Sequence, residues 1–280
     1  VLSRGNELVL ESDDESKRAL FRRIVGQLEE QIREGQIPGR GSIRSLFESL
    51  TDEKSTSVKT LKSDIVFPSG VKVFPRSRKQ SEYVKAMQHH DLVFCIGPAG
   101  TGKTYLAVAH ALQGITAKKR KKLLLTRPVV EAGESLGFLP GDLTQKISPY
   151  LRPLYDAMDS FVHYEMIARL EEKRIIEIAP LAYMRGRSLR DAYIILDEAQ
   201  NTTKEQMKMF LTRLGEGAQA IITGDVTQID LEKKEQSGLL HAREILSHLQ
   251  EIAVIEFTAT DVVRHPLVQK IVQAYESQNS

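Results

Sequence analysis

The 280-residue chain carries 39 Lys and Arg against 37 Asp and Glu, so no polybasic field drives it onto nucleic acid or a membrane. One cysteine excludes a disulfide framework, and the seven histidines do not cluster at metal-ligand spacings. The opening VLSRGNELVL lacks the apolar core of a signal peptide, and no apolar run approaches the ~18 residues of a membrane span. The expectation is a cytoplasmic protein without a membrane partner, long enough for one large α/β domain and a small extra one.

In chain order, residues 7–10 read as a short strand. From about Ser16 to Glu34 a helix carries Leu20, Ile24, Leu28 and Ile32 on one face. A Gly/Pro-bearing linker follows, then a short helix with Ile43, Leu46, Phe47 and Leu50, then the polar stretch TDEKSTS. Residues 1–62 thus form a small β-α appendage and linker. In the 63–280 domain, DIVFPSGVKVF reads as a hairpin around Pro68, Ser69 and Gly70. Strands are then expected at 92–96, 122–126, 174–178, 193–196, 220–223 and 252–257, with helices between. Such alternation indicates a mostly parallel sheet covered by helices on both faces.

Between the first of these strands and its helix lies GPAGTGKT: Gly97, Pro98, Ala99, Gly100, Thr101, Gly102, Lys103 and Thr104. This is the phosphate-binding P-loop pattern in a strand–loop–helix context. Glycines let backbone N–H groups turn toward an anion, and the helix N-terminus adds the positive end of its dipole. Lys103 is placed to reach the β- and γ-phosphates of ATP, and Thr104 to hold Mg²⁺. Downstream, YIILDEAQ ends an apolar strand in two acids. Asp197 is positioned to order Mg²⁺, and Glu198 to orient an attacking water. About ninety residues separate the two motifs, enough for an extra strand between theirs, as in RecA-like hydrolytic ATPases.

AIITGDVTQID then brings Asp225 and Gln228 to a strand's C-terminal end, where ligands sit in such sheets. Asp225 is a nucleotide-site candidate and Gln228 a sensor of the γ-phosphate. In SRKQSEYVKAM, Gln80 fits two readings, an adenine-reading glutamine and the last residue of a Ser77-x-x-Gln80 capping box. Both can hold together.

The segments VFCIGPAGTGKTYLAVAHAL, LLLTRPVVEAGESLGFLPGDL, SPYLRPLYDAM, APLAYMRGRSL, YIILDEAQNTTKEQMKMFLTRLG, ITGDVTQIDL and DVVRHPLVQKIVQAYE together resemble the PhoH-like ATPases, in their single-ATPase-domain form. The resemblance runs from about residue 63 to 277. It implies a P-loop NTPase fold like the first RecA-like domain of superfamily 1 helicases, and a cytoplasmic bacterial ATPase linked to RNA metabolism. It also implies a YbeY-type endoribonuclease as partner and a homo-oligomer, hexameric rings being known in the family. Residues 1–62 resemble only part of the family's KH-like region. They are too few for the nuclease domain that other members carry.

RNA contact is expected near Arg127, which leaves its strand on the nucleotide side; the alternative for Arg127 is a pair with Glu131 or Glu134. The basic run Lys118–Lys122 precedes its strand and reads instead as a solvated turn. Few aromatics are available for stacking, so contacts to the RNA backbone are expected. Arg264, in DVVRHP, is the candidate arginine finger, with Arg185 and Arg187 as rivals and a local pair with Asp261 as the plain alternative. The function these readings converge on is an RNA-stimulated ATPase or weak RNA helicase or remodelling ring. A nucleotide-gated scaffold for a nuclease, and more remotely a small-substrate kinase, are the alternatives.

Overall fold

A computed structural model describes residues 2–4, 7–33, 43, 47, 65–67, 71–128, 143–233 and 236–262. The chain divides into two compact units, residues 1–62 with 75–81, and residues 63–74 with 82–280.

In the first unit, strand β1 (Leu2–Arg4) pairs antiparallel with β2 (Glu7–Val9), Leu2 opposite Val9. β1 escapes sequence reading because three residues, two of them polar, carry no readable alternation. Helix α1 (Glu15–Arg33) starts one residue before the expected Ser16. The cause is Asp14, whose carboxylate accepts the backbone N–H groups of Ser16 (2.9 Å) and Lys17 (3.3 Å) as an N-cap. Leu20, Ile24 and Leu28 are half-buried, and Ile32 is exposed. Of the expected second helix, Ile43 and Phe47 are helical and exposed, and the rest lies outside the described residues.

Helix α2 (Arg78–His89) opens on the expected cap. The Gln80 N–H donates to Ser77 Oγ at 3.1 Å, and Gln80 Oε1 accepts the Arg76 N–H at 2.6 Å. The glutamine thus reaches one residue further back than a standard capping box.

In the second unit, β3 (Ile65–Val66) and β4 (Lys72–Val73) form the expected hairpin, Ile65 opposite Val73; its turn residues 68–70 lie outside the described residues. The main sheet contains β5 (Leu92–Ile96), β6 (Lys122–Arg127), β7 (Ile176–Pro180), β8 (Ala192–Leu196), β9 (Gln219–Gly224) and β10 (Ile252–Glu256). Their order is β10-β5-β9-β8-β6-β7, with every pairing parallel. β9 therefore lies between β5 and β8, the place expected for an extra strand, but it comes after both motifs in the chain; the stretch between them supplies β6 and β7, which lie beyond β8.

β7 begins two residues later than expected because Arg174 is still part of a turn. It adopts a left-handed φ of 55°, and its N–H donates to Glu171 O. Pro180 ends β7 without loss to the ladder because β7 is an edge strand.

Side-chain alternation divides the core. Val93, Cys95, Leu123, Leu125, Tyr193, Ile195 and Ile221 face one side. There they meet α2, α3 (Lys103–Thr116), α4 (Leu143–Asp159) and α5 (Tyr164–Glu172) through Tyr83, Leu112, Leu154 and Ile167. Phe94, Ile96, Leu124, Ile194, Leu196 and Ile222 face the other side. They meet α6 (Lys204–Leu211) and α7 (Gly238–Leu246) through Met207, Phe210 and Leu239. Both faces are covered, so the strands read as continuous apolar runs. Among the described residues no helix is long and apolar enough to cross a membrane.

The basic turn is more built than expected. Arg120 donates to Gly217 O (2.8 Å) and Asp91 Oδ1 (3.1 Å), and its guanidinium carbon lies 4.6 Å from the centroid of the Tyr193 ring. Packing and charge both hold it.

Candidate functional site

Parallel register brings the C-terminal ends of β5, β6, β8 and β9 to one edge. Ile96 lies opposite Gly224, Leu196 opposite Ile222, and Thr126 opposite Leu196. The residues that follow these ends line a cavity of about 260 Å³. They include Ala99, Gly100, Gly102, Lys103, Thr104, Asp197, Glu198, Asp225 and Gln228.

The loop is shaped by its glycines. Gly100 and Gly102 take φ of 83° and 85°, in the left-handed region open to glycine. A Cβ on Gly97 would lie 2.6 Å from Phe257 Cβ, too close to accommodate. Thr101 closes the turn by donating to Pro98 O at 3.0 Å. Lys103, 8% exposed, donates from Nζ to Gly97 O (2.6 Å) and Pro98 O (2.8 Å). Burial lowers its pKa, while the carboxylates of Asp225, Glu198 and Asp197 act in the opposite direction.

Asp197 is 2% exposed and caps a strand buried along its whole length. Its Oδ1 accepts the hydroxyls of Thr104 (2.7 Å) and Thr223 (2.5 Å), and its Oδ2 accepts Arg127 Nε (2.9 Å). Arg127 also donates from Nη2 to Glu198 Oε1 at 3.0 Å. Its partners thus include the two acids of the site; Glu131 and Glu134 lie outside the described residues. Glu198 itself takes φ 53°, a left-handed conformation that costs a non-glycine residue about 1 kcal/mol or more. Surrounding contacts, not local preference, hold it there.

Gln200, 1% exposed, is the hub that the sequence did not disclose. Its Nε2 donates to Glu198 Oε2 (2.6 Å) and Gln228 O (3.1 Å), and its Oε1 accepts the Asp225 N–H (2.9 Å). Asp225 in turn accepts the Ala99 N–H (3.0 Å), the Thr227 N–H (2.9 Å) and the Thr227 hydroxyl (2.6 Å). One amide therefore couples the acids of β8 to the segment after β9 and, through Asp225, to the loop after β5. The signals in the sequence were a polar residue two positions after the acid pair, and Thr223 as the one hydroxyl in an apolar strand.

Of the other candidates, Gln228 is exposed beside the cavity, and Gln80 caps its own helix. Arg187 is held by Glu177 in a two-pronged pair at 2.6 and 2.8 Å, which takes it away from the finger role. Arg185 is exposed, and Arg264 lies outside the described residues.

The donor set fits the expected ligands. A glycine cradle at a helix N-terminus suits a phosphate chain. A hydroxyl and a carboxylate oxygen 2.7 Å apart are hard donors of the kind Mg²⁺ takes. The arrangement gathers a P-loop, its lysine and threonine, and two carboxylates around one cavity, which suits a nucleotide-binding site.

A PhoH-like protein of Bacillus subtilis (strain 168) is 53% identical over 290 residues, covering 100% of this chain and 88% of its own length. A PhoH-like protein of Mycobacterium tuberculosis (strain H37Rv) is 49% identical, covering 97% of this chain and 77% of its own. Protein PhoH of Escherichia coli (strain K12) is 43% identical over 72% of this chain and 58% of its own length. Among solved structures, the Pif1 helicase from Candida albicans aligns at TM-score 0.34 and 17% identity, over 65% of this chain and 40% of that one. The model of the PhoH-like protein family matches residues 72–276, and with these relatives it establishes that the chain belongs to that family.

Proposed function

We propose that the chain binds and hydrolyses ATP with Mg²⁺ in RNA metabolism, as an RNA-stimulated ATPase or weak RNA helicase or remodelling ring working with a YbeY-type endoribonuclease. The observation that carries this reading is the pairing of Arg127 with both Asp197 and Glu198. An arginine at the nucleotide edge of the sheet is suited to a backbone phosphate of RNA. Here the same guanidinium neutralises the acid that would accept a proton from water. A phosphate that draws Arg127 away frees Glu198, so strand binding and turnover are coupled through one side chain.

In this reading the loop from Gly97 to Thr104 cradles the phosphates, and Lys103 exchanges its two carbonyl acceptors for the β- and γ-phosphates. Thr104 and Asp197 hold Mg²⁺, which when bound neutralises charge developing on the phosphates. Glu198 orients the water, Gln228 reports the γ-phosphate, and Gln80 reads adenine while capping its helix. A neighbouring subunit supplies the other wall of the cleft and Arg264 as its finger.

Steady-state ATP hydrolysis with single-stranded RNA, duplex RNA and DNA tests the proposal. RNA raises turnover several-fold, and Arg127→Gln removes that response. Turnover indifferent to RNA in both proteins overturns the RNA-stimulated reading. It favours the scaffold reading, in which ATP binding positions a nuclease and the Arg127–Glu198 pair keeps turnover low.

A further inference from the structure

A second cavity, of about 310 Å³, is lined by Arg187, Ser188, Arg190, Thr212, Arg213 and Glu216 together with their neighbours. It lies at the N-terminal ends of β8 and β9. The five residues of β8 separate it from Asp197 by about 17 Å. A nucleotide held at the P-loop therefore does not fill it.

Two segments are tied together to build it. The Leu189 N–H donates to Arg213 O (2.9 Å), the Gly215 N–H to Leu189 O (2.8 Å), and the Asp191 N–H to Glu216 O (2.9 Å). The Arg190 stem lies over Gly215, where a Cβ would come within 2.6 Å of Arg190 Cγ. Arg187 is fixed by Glu177. Arg213 is different: its Nε is buried and has no hydrogen-bond partner. A buried donor without an acceptor is unfavourable by about 1–3 kcal/mol, and native structures seldom retain one without reason. Among the described residues neither Arg190 nor Arg213 has an ion-pair partner. Lys122 and Arg174 add positive charge beside Glu177.

The acceptors are equally informative. The Thr212 hydroxyl gives its proton to Lys208 O and Met209 O, leaving only lone pairs for a ligand. Glu216 also accepts when ionised. A bare inorganic anion would use the arginines and be repelled by Glu216. A ligand that combines anionic oxygens with hydroxyl donors satisfies both.

We infer that this cavity binds the phosphate and sugar of a ribonucleotide unit, with Arg190 and Arg213 on the phosphate and Glu216 and Thr212 on ribose hydroxyls. The chemistry is shared by a free mononucleotide and by one residue of an RNA strand. The inference stands independently of the ATP site.

The test uses the full chain with the P-loop saturated by Mg²⁺ and a non-hydrolysable ATP analogue. Two probes are titrated, adenosine 5′-monophosphate and a short fluorescein-labelled single-stranded RNA. At least one binds, and Arg190→Glu weakens it by about tenfold, as expected for loss of a charge-assisted hydrogen bond. Arg213→Gln does the same, and for RNA each variant lowers the salt slope by about one. Loss on RNA alone identifies a strand, and loss on the mononucleotide identifies a free nucleotide. ATP turnover without RNA is unchanged in Arg190→Glu. Should neither probe bind, or both bind Arg190→Glu within twofold of the unaltered chain, the inference is overturned. Arg190 is exposed, so its substitution leaves folding intact and keeps the test decisive even if Arg213→Gln does not fold.

Discussion

The Thr104 hydroxyl donates to Asp197 Oδ1 at 2.7 Å, joining the first turn of the P-loop helix to the end of β8 across 93 positions of sequence. Thr223 donates to the same oxygen from β9. The two hydroxyls have different duties. Thr104 lines the cavity, whereas Thr223 is fully buried.

Thr104→Val keeps the shape of the side chain and removes its donor. Thr223 still satisfies Asp197, so the melting temperature changes little. ATP turnover falls by about tenfold or more, and raised Mg²⁺ recovers part of it, because one of the ion's oxygen ligands is gone. Thr104→Ser retains turnover. Equal Mg²⁺ dependence in the valine variant and the unaltered chain would remove Thr104 from the metal site.

Glu198→Gln preserves size but replaces one of two accepting oxygens, which meet Arg127 and Gln200, by a donor, and removes the negative charge that the proposal assigns to polarising water. Hydrolysis falls by roughly two orders of magnitude, while ATP affinity is retained. A collapse of affinity instead would make Glu198 a structural or metal-holding residue, and water activation would belong elsewhere.

His110 offers a test of the core by pH. Its ring is buried between α3 and β9, with Nε2 3.0 Å from Gln219 Oε1. Gln219 donates from its own amide to Met87 O and His90 O, so its oxygen must accept and the histidine proton lies on Nε2. Burial pushes the His110 pKa down to about 4, against 6.5 for an unperturbed histidine. Between these values the unfolded chain binds the proton and the folded chain does not. Stability from this group is therefore complete above pH 6.5 and lost as pH falls toward 4, by about 3 kcal/mol. His110→Gln still donates to Gln219 and removes that component of the acid limb. Chemical unfolding at pH 7 and pH 4.5 measures it; identical pH dependence in both proteins contradicts the assignment.

What the sequence disclosed and withheld follows from range. The strand–loop–helix at Leu92–Thr116 is written in contiguous residues, glycines where the backbone must turn and apolar runs where both faces are covered. The Ser77-x-x-Gln80 cap is equally local. An extra strand between β5 and β8 followed from the motif pair, though β9, which fills that place, comes after both motifs in the chain. The Arg127 pairing with Asp197 and Glu198, 70 and 71 positions away, did not, because it depends on β6 lying beside β8. The same holds for Gln200, which reaches Asp225 only because β8 and β9 are neighbours. Strand order, not motif content, created these contacts.

The most direct test of the account is ATP turnover by Lys103→Ala. Lys103 is the only basic side chain lining the cavity among the described residues, and in the proposed function its ammonium meets the β- and γ-phosphates. Its loss abolishes steady-state hydrolysis, while circular dichroism and the melting transition show the fold intact. A folded Lys103→Ala protein that hydrolyses ATP at near-normal rates would contradict the nucleotide site itself.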